Sequence, residues 1–171
     1  DPLLNSLLPV QTVRGIQQWD VAACIKHYAL NNQETERKNV NVEADERALR
    51  EIYLPAFKAA VQQGGAWTLM SAYNKFRGSY CAENGYLLNK VLKKEWGFRG
   101  AVISDWGGTH STVASALNGL DVEMGTGKPY DEYFFAKPLK AAVEQGKVSM
   151  QVVNGKVRRL LWVIFKTQLS G

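Results

Sequence analysis

The chain has 171 residues, of which 46% are hydrophobic and 22% charged, and its formal net charge is +5. This length allows one domain with a sizeable core, while the apolar runs are far too short to span a bilayer, so no membrane association is expected. The Lys and Arg residues are dispersed, without a basic stripe interleaved with aromatic side chains, so nucleic acid is not an expected partner.

Short apolar runs alternate along the chain with helical patterns. After a predicted loop over residues 1–8, helices are predicted over 9–18, from Asp45 through Tyr53 with a break or restart at Pro55, over 57–63, after Asn84, and over 109–118 and 138–145. Ser149 is predicted to cap a last helix that runs through Ile164. Buried strands are predicted near residues 23–28, 67–74, 101–106 and 120–124. Residues 30–44 are polar and are predicted to form a long connecting segment between the strand at 23–28 and the helix that begins at Asp45. We call this segment the polar excursion.

This alternation predicts parallel βαβ units. Four such units are half of a closed eight-stranded barrel, which typically takes ~250 residues. An open four-stranded parallel sheet would leave exposed edges. The expected fold class is therefore α/β, a TIM-barrel-like (β/α) domain present as its C-terminal half.

Asp105 is the first candidate for chemistry. It follows the apolar run at 101–103 and stands beside Trp106, where a buried parallel strand would end and where ligands collect. The alternative is that Asp105 caps the next helix. A retaining glycosidase needs a second carboxyl group about 5–5.5 Å from the nucleophile. Spacing leaves five candidates for that group open: Glu34, Glu36, Glu43, Asp121 and Glu123.

Lys26 and His27 end the predicted strand at 23–28. In a regular strand they point to opposite faces, and they share one site only if the strand bends at its tip. In a sugar site they would donate hydrogen bonds to vicinal hydroxyls. The alternatives are a pair without a ligand, and a Schiff-base nucleophile at Lys26.

Met70 and Tyr73 belong to the predicted strand at 67–74 and face opposite ways unless the strand is bulged. Tyr73 could hydrogen-bond Asp105 or be a core aromatic, and Trp106 could stack on a sugar or lie in the core. Neither histidine belongs to a metal-ligand pattern, and no P-loop or dinucleotide fingerprint is present, so no cofactor is expected. Cys24 and Cys81 lack metal-ligand spacing and cannot define a disulfide framework. The cysteines therefore do not indicate whether the protein works in a reducing or an oxidising compartment.

Four segments, at residues 26–34, 45–57, 70–74 and 95–107, occur in an order that resembles glycoside hydrolase family 3, β-glucosidase type. The resemblance runs from about residue 1 to residue 166. A related branch that cleaves N-acetylglucosaminides carries Gly-His-Gly and Asp-x-His after its Lys-His pair, whereas this chain has Ala-Leu-Asn-Asn-Gln at 29–33, so that branch is not favoured.

The resemblance implies a retaining β-glucosidase acting on a β-glucoside or short β-linked oligosaccharide. Asp105 falls on the family's nucleophile, Lys26 and His27 on its pair that binds sugar hydroxyls, and Tyr73 on the tyrosine beside the nucleophile. Met70 would line the same pocket and Trp106 would border the sugar. The alternatives are a β-xylosidase or other β-glycosidase of this family, a Schiff-base lyase using Lys26, and a non-catalytic sugar-binding half-barrel.

The family's acid/base glutamate usually comes from a following αβα sandwich domain, and earlier barrel strands supply an aspartate and an arginine. Residues 1–166 are therefore expected to be the C-terminal half of a (β/α)8-like barrel, and 167–171 the start of a linker to that second domain. The expected partners are the other barrel half and the sandwich domain of the same enzyme. The isolated chain is expected to be inactive.

Overall fold

A parallel sheet forms the centre of the computed structural model, which describes residues 1–167. The predicted linker start at 167–171 thus lies, from residue 168 onward, outside the described residues. In chain order the strands are β1 (Cys24–Tyr28), β2 (Asn41–Val42), β3 (Thr68–Ser71), β4 (Lys75–Phe76), β5 (Ser79–Tyr80) and β6 (Ala101–Ile103). The central sheet has the order β1-β3-β6, with both pairs parallel, and a parallel bridge from Ile103 to Val122 extends it.

Helices connect these strands. They are α1 (Pro2–Gln17), α2 (Glu46–Ala48), α3 (Pro55–Gln62), α4 (Val113–Asn118), α5 (Lys137–Glu144) and α6 (Met150–Lys166). Wider helical turns with π-type bonding run over Leu49–Tyr53 and Tyr86–Glu95, and 3-10 turns over Cys81–Glu83 and Tyr130–Glu132. Parallel strands joined through helices confirm the predicted TIM-barrel-like α/β fold, of which these residues form a part. Within residues 1–167 no helix is long and apolar enough to cross a membrane.

Local side-chain bonds set several helix starts as the sequence predicts. The carboxylate of Asp45 accepts from the backbone N–H of Ala48 at 2.7 Å, and the amide oxygen of Asn84 accepts from Leu87 N–H at 3.0 Å. Ser149 caps α6 in the same way. Such caps satisfy amide groups that have no partner inside the helix.

The predicted loop at residues 1–8 is wrong, because α1 begins at Pro2. The Asp1 carboxylate accepts from the N–H groups of Leu3 and Leu4 at 2.7 and 3.1 Å, and Pro2 stands in the first turn, where a missing N–H costs nothing. Pro9, expected in a first turn, lies inside the helix instead. The leucines of this first half are exposed while Val10 and Val13 are buried, so the apolar residues of α1 do not form a single stripe.

The predicted strand at 120–124 shortens to the bridge at Val122, and the strands at 67–74 and 101–106 end at Ser71 and Ile103. Conversely, the polar excursion at 30–44 contains β2. This strand pairs with β4, which also pairs with β5, in a second small sheet. The excursion is therefore held against the segment that follows β3.

The largest buried cluster lies between the central sheet and the helices that follow β1 and β3. Tyr28 is fully buried, its ring packs edge-on against Phe57 and Trp96, and its hydroxyl donates to Leu87 O at 3.1 Å. The other buried members of the cluster include Leu49, Leu54, Leu69, Phe76, Leu87, Leu88, Val91, Leu92, Val102 and Leu120. This packing fixes the carboxyl ends of β1, β3 and β6 relative to one another.

Two helix faces remain exposed although they are apolar. On α1 these are Leu3, Leu4, Leu7 and Leu8, with exposed fractions of 54% to 68%. On α6 Phe165 is 71% exposed, and Leu161 and Ile164 are also exposed. Within residues 1–167 these apolar side chains are left open to solvent.

Candidate active site

Asp105 lies directly beyond the carboxyl end of β6. Ser104, which precedes it, is fully buried and is bound on both its backbone and its side chain: its N–H donates to Val122 O, and its hydroxyl accepts from Met124 N–H, each at 2.9 Å. These bonds fix the backbone from which the Asp105 side chain projects.

The carboxylate of Asp105 is almost completely buried, with 7% of the residue exposed. Its Oδ1 accepts from Trp106 N–H at 2.8 Å, and its Oδ2 lies 3.3 Å from Nε2 of His27. Helix α4 begins only at Val113, so Asp105 does not cap it. The structure therefore places the carboxylate beside an imidazole at the sheet's carboxyl end.

The end of β1 is irregular, and this brings Lys26 and His27 to one groove. The pairing register between β1 and β3 shifts between Ile25 and Tyr28. Lys26 is exposed and His27 half-buried, and both line a groove of about 430 Å³. A regular strand would have pointed these neighbours to opposite faces.

Two bonds from the segment after β3 hold this strand end. The N–H of Ala72 donates to Tyr28 O at 2.7 Å, and the buried amide of Asn74 donates to Ala29 O at 3.2 Å. The ends of β1 and β3 therefore form one connected surface, with His27 on one side and Tyr73 on the other.

Tyr73 lies two residues beyond the end of β3, and its hydroxyl donates to Trp106 O at 2.9 Å. Burial raises the pKa of the Tyr73 phenol, and the adjacent negative charge of Asp105 raises that pKa further. The side chain is therefore a neutral donor next to the carboxylate at physiological pH.

Arg37 and Lys38 lie beside the candidate site, and the sequence did not predict their place there. The guanidinium carbon of Arg37 lies 5.1 Å, and the Lys38 amino nitrogen 5.4 Å, from the centre of the Tyr73 ring. Both belong to the polar excursion, and the only available signal was the length of that excursion after a strand end. Their positive charges lie next to a site whose own carboxylate is negative.

Trp106 is 54% exposed, beside a groove of about 210 Å³ that Lys38 and Thr109 also line. The turn after it requires glycine, since Gly107 has φ +69° and a β-carbon on Gly108 would lie 3.2 Å from Asp105 O.

Met70 is half-buried on β3 and pairs with Ile103 of β6, one register step from the strand end.

The five carboxylates left open as a second catalytic group make their bonds elsewhere. Asp121 is buried, lies 2.9 Å from the Lys93 amine and accepts from Val102 N–H at 2.9 Å. Glu123 accepts from Phe135 N–H at 2.7 Å. Glu34, Glu36 and Glu43 bond to Arg37, Asn39 and Asn41. Asp121 thus joins β6 to the chain after α4.

No group of three or more His, Cys, Asp or Glu residues suited to a metal ion occurs between residues 1 and 167. Cys24 and Cys81 are both free thiols. Burial raises the pKa of the Cys81 thiol to about 12.

A family model described as the glycosyl hydrolase family 3 N-terminal domain matches residues 1–163. The chain belongs to glycosyl hydrolase family 3. The β-glucosidase resemblance drawn from the four segments is confirmed by its relatives. Beta-glucosidase BoGH3A of Bacteroides ovatus is 48% identical over 99% of this chain and 24% of its own length.

Two further relatives differ in their named activities. The crystal structure of a beta-D-glucoside glucohydrolase from Trichoderma reesei superposes with a TM-score of 0.94 at 36% identity, over 100% of this chain and 24% of that one. An exo-alpha-(1->6)-L-arabinopyranosidase of Bifidobacterium longum is 43% identical over 99% of this chain and 22% of its own. This family 3 chain therefore spans about a quarter of the length of these relatives.

Proposed function

We propose that this chain supplies the nucleophile half of the active site of a retaining β-glucosidase, which removes terminal non-reducing β-D-glucosyl residues. The observation that carries the proposal is the buried Asp105 carboxylate at the end of β6, in contact with His27 and Trp106 N–H. A fixed, desolvated carboxylate suits attack at an anomeric carbon.

The reaction is a double displacement. Asp105 attacks the anomeric carbon while a glutamate from another part of the enzyme protonates the leaving oxygen. Water then hydrolyses the glycosyl-enzyme, with that glutamate now acting as base. Lys26 and His27 bind sugar hydroxyls. Tyr73, Met70 and Trp106 line the site, with Tyr73 donating its hydroxyl hydrogen next to the nucleophile.

The rest of the site comes from the remainder of a larger enzyme. Residues 1–166 form the C-terminal half of the barrel, and 167–171 begin the linker to a sandwich domain that contributes the acid/base glutamate. The exposed leucines of α1 support this proposal, because they would be covered by neighbouring barrel elements. The isolated chain, lacking the acid/base group, would be inactive.

A Schiff-base lyase is less well supported, because a lysine nucleophile needs desolvation or a cationic neighbour to be reactive, and the Lys26 side chain is exposed. A second glycosidase activity has a specific observation in its favour, the 43% identity to an exo-alpha-(1->6)-L-arabinopyranosidase. A panel of 4-nitrophenyl β-glucoside, β-xyloside and α-L-arabinopyranoside, assayed with the intact enzyme, separates these substrates by kcat/KM.

Azide rescue of the Asp105→Ala enzyme tests the nucleophile. With an activated aryl β-glucoside the variant should be inactive in buffer, and azide should restore turnover with formation of α-glucosyl azide. The matched variant Asp131→Ala, at an exposed carboxylate, should retain full activity. Rescue that yields only β-glucosyl azide, or full activity of Asp105→Ala without azide, would refute the assignment.

A further inference from the structure

The opposite end of the sheet from Asp105 carries a second surface that the proposed reaction does not use. Residues 66–67 precede β3 and residues 97–99 precede β6, so these segments lie at the amino ends of the parallel strands. Together with α6 they line two grooves of about 490 and 310 Å³, which share Arg99 and Trp162. We call these two grooves together the basal groove.

The charged side chains that line the basal groove are all cationic. They are Arg99, Arg158, Arg159 and Lys166, and no described Asp or Glu lines either part. Within residues 1–167 the guanidinium groups of Arg99 and Arg158 have no hydrogen-bond or ion-pair partner. Two exposed guanidinium groups without an internal partner are available to bind an external anion, and their planar donor pattern matches a carboxylate.

Hydrogen bonds and close packing fix the shape of the basal groove. Arg159 donates from one nitrogen to Phe98 O at 2.9 Å and to Gly100 O at 3.1 Å, which fixes α6 against the segment before β6. Gly100 packs so closely that a β-carbon there would lie 1.9 Å from Trp67 O. Trp67 and Trp162 are both half-exposed, so each offers part of an indole face.

We propose that the basal groove is a non-catalytic binding site for uronic-acid-bearing polysaccharides. The apolar face of a pyranose ring packs on an indole, while the uronate carboxylates bind Arg99 and Arg158. Lys166, whose amine lies 5.8 Å from the Trp162 ring centre, adds a third cation beside the same indole. The site would hold the enzyme on an acidic polymer while the opposite end of the barrel acts on its own substrate.

Nucleic acid fits this surface less well. Single-stranded nucleic acid is bound where successive bases stack on a row of aromatic side chains along a basic path. The basal groove exposes only parts of Trp67 and Trp162, since Trp96 is 7% and Phe98 3% exposed. A groove with two partial indole faces and paired guanidinium groups suits one or two acidic sugar units better.

Calorimetry with the intact enzyme tests the proposal, using oligogalacturonate as the probe beside a neutral cello-oligosaccharide of equal length and a single-stranded DNA oligonucleotide. Oligogalacturonate should bind and the other two should not. Trp162→Ala, and separately Arg99→Gln/Arg158→Gln, should weaken binding roughly tenfold or more, because each removes direct contacts. The matched double variant Lys58→Gln/Lys147→Gln loses the same charge from exposed positions elsewhere and should bind as the unaltered enzyme does.

Three results would overturn the proposal: no binding of oligogalacturonate, equal loss in the Lys58/Lys147 control, or tighter binding of DNA or of the neutral sugar. Should Trp162→Ala unfold, the arginine double variant decides, because both of its side chains are exposed. Asp105→Asn must still bind oligogalacturonate, and the arginine variant must still hydrolyse an aryl glucoside. Failure of this site is thereby separated from failure of the proposed nucleophile.

Discussion

The imidazole Nε2 of His27 lies 3.3 Å from Oδ2 of Asp105, although the two residues are 78 positions apart in the chain. The contact joins the ends of β1 and β6, two strands that are not adjacent but flank β3. It therefore depends on the whole central sheet. Any change that alters the relative position of these strands should be detectable as a change at the carboxylate.

Replacing His27 should impair catalysis more than folding. In the proposed site His27 donates a hydrogen bond to a sugar hydroxyl, and such a bond contributes about 0.5–1.5 kcal/mol. His27→Ala should therefore lower kcat/KM roughly 2–10-fold, since about 1.4 kcal/mol corresponds to a factor of ten. Steady-state kinetics of the intact enzyme measures this. His110→Ala serves as the control, because His110 is exposed and stacks on Tyr80 instead. Equal losses in both variants would contradict the role of His27.

Tyr73→Phe should change the dependence of stability on alkaline pH. The folded pKa of Tyr73 is raised by burial and by Asp105, so its stabilising contribution is present below pH 10 and is lost as pH rises beyond the unfolded value. Because phenylalanine has no ionisable group, the variant does not lose stability in this way. Its free energy of unfolding should fall less steeply than that of the unaltered protein above pH 10.

At neutral pH the same variant loses the bond from the Tyr73 hydroxyl to Trp106 O, which should cost about 0.5–1.5 kcal/mol. Urea unfolding at pH 7 and pH 10.5 separates the two effects. Identical alkaline slopes for Tyr73→Phe and the unaltered protein would show that the phenol does not titrate against the Asp105 charge.

The titration of Lys156 should make the free energy of unfolding depend on pH just above neutrality. Its buried amino group donates to Ala116 O at 2.7 Å and to Leu120 O, and burial lowers its pKa to about 8. Between pH 8 and the unfolded value of 10.5 the unfolded chain binds more protons than the folded one. Stability therefore rises with pH in that window, by about 1 kcal/mol from pH 8 to 9.

Lys156→Met should abolish that rise, because the side chain keeps its length and loses its titrating group. The difference in urea-unfolding free energy between variant and unaltered protein, followed from pH 7 to 9, cancels the contributions of all other groups. A difference that stays constant across this range would show that Lys156 does not titrate there.

The buried pair of Lys93 and Asp121 should be essential for stability rather than for chemistry. Asp121→Asn leaves the Lys93 charge without its carboxylate partner in a buried site, which should cost about 3–5 kcal/mol. Asp131→Asn removes half of an exposed pair with Lys137 and should cost less than about 1 kcal/mol. Comparable losses of unfolding free energy in the two variants would contradict this difference.

The part of the candidate site that lies at strand ends could be predicted from the sequence. Asp105, His27 and Tyr73 each stand at or just beyond a strand end, and the carboxyl ends of parallel strands meet at one edge of a sheet. Arg37 and Lys38 could not be placed in this way. Their position over Tyr73 depends on β2 pairing with β4, a contact between short strands of 2 residues each that leave no periodic pattern.

The helix at the start of the chain was missed for a related reason. Its leucines are exposed whereas Val10 and Val13 are buried, so its apolar residues lie on more than one side, and only the Asp1 cap and Pro2 mark its beginning. The last helix was predicted, although Phe165 near its end is exposed.

Trapping the glycosyl-enzyme tests whether Asp105 is the nucleophile of a retaining reaction. The intact enzyme would be incubated with an activated 2-deoxy-2-fluoro-β-glucoside, digested, and analysed by mass spectrometry. A fluoroglucosyl label is expected on the Asp105 side chain, absent in Asp105→Ala and still present in Asp121→Asn if that variant folds. A label on another carboxylate, or turnover of ordinary β-glucosides without any label, would contradict Asp105 as the nucleophile of a retaining reaction.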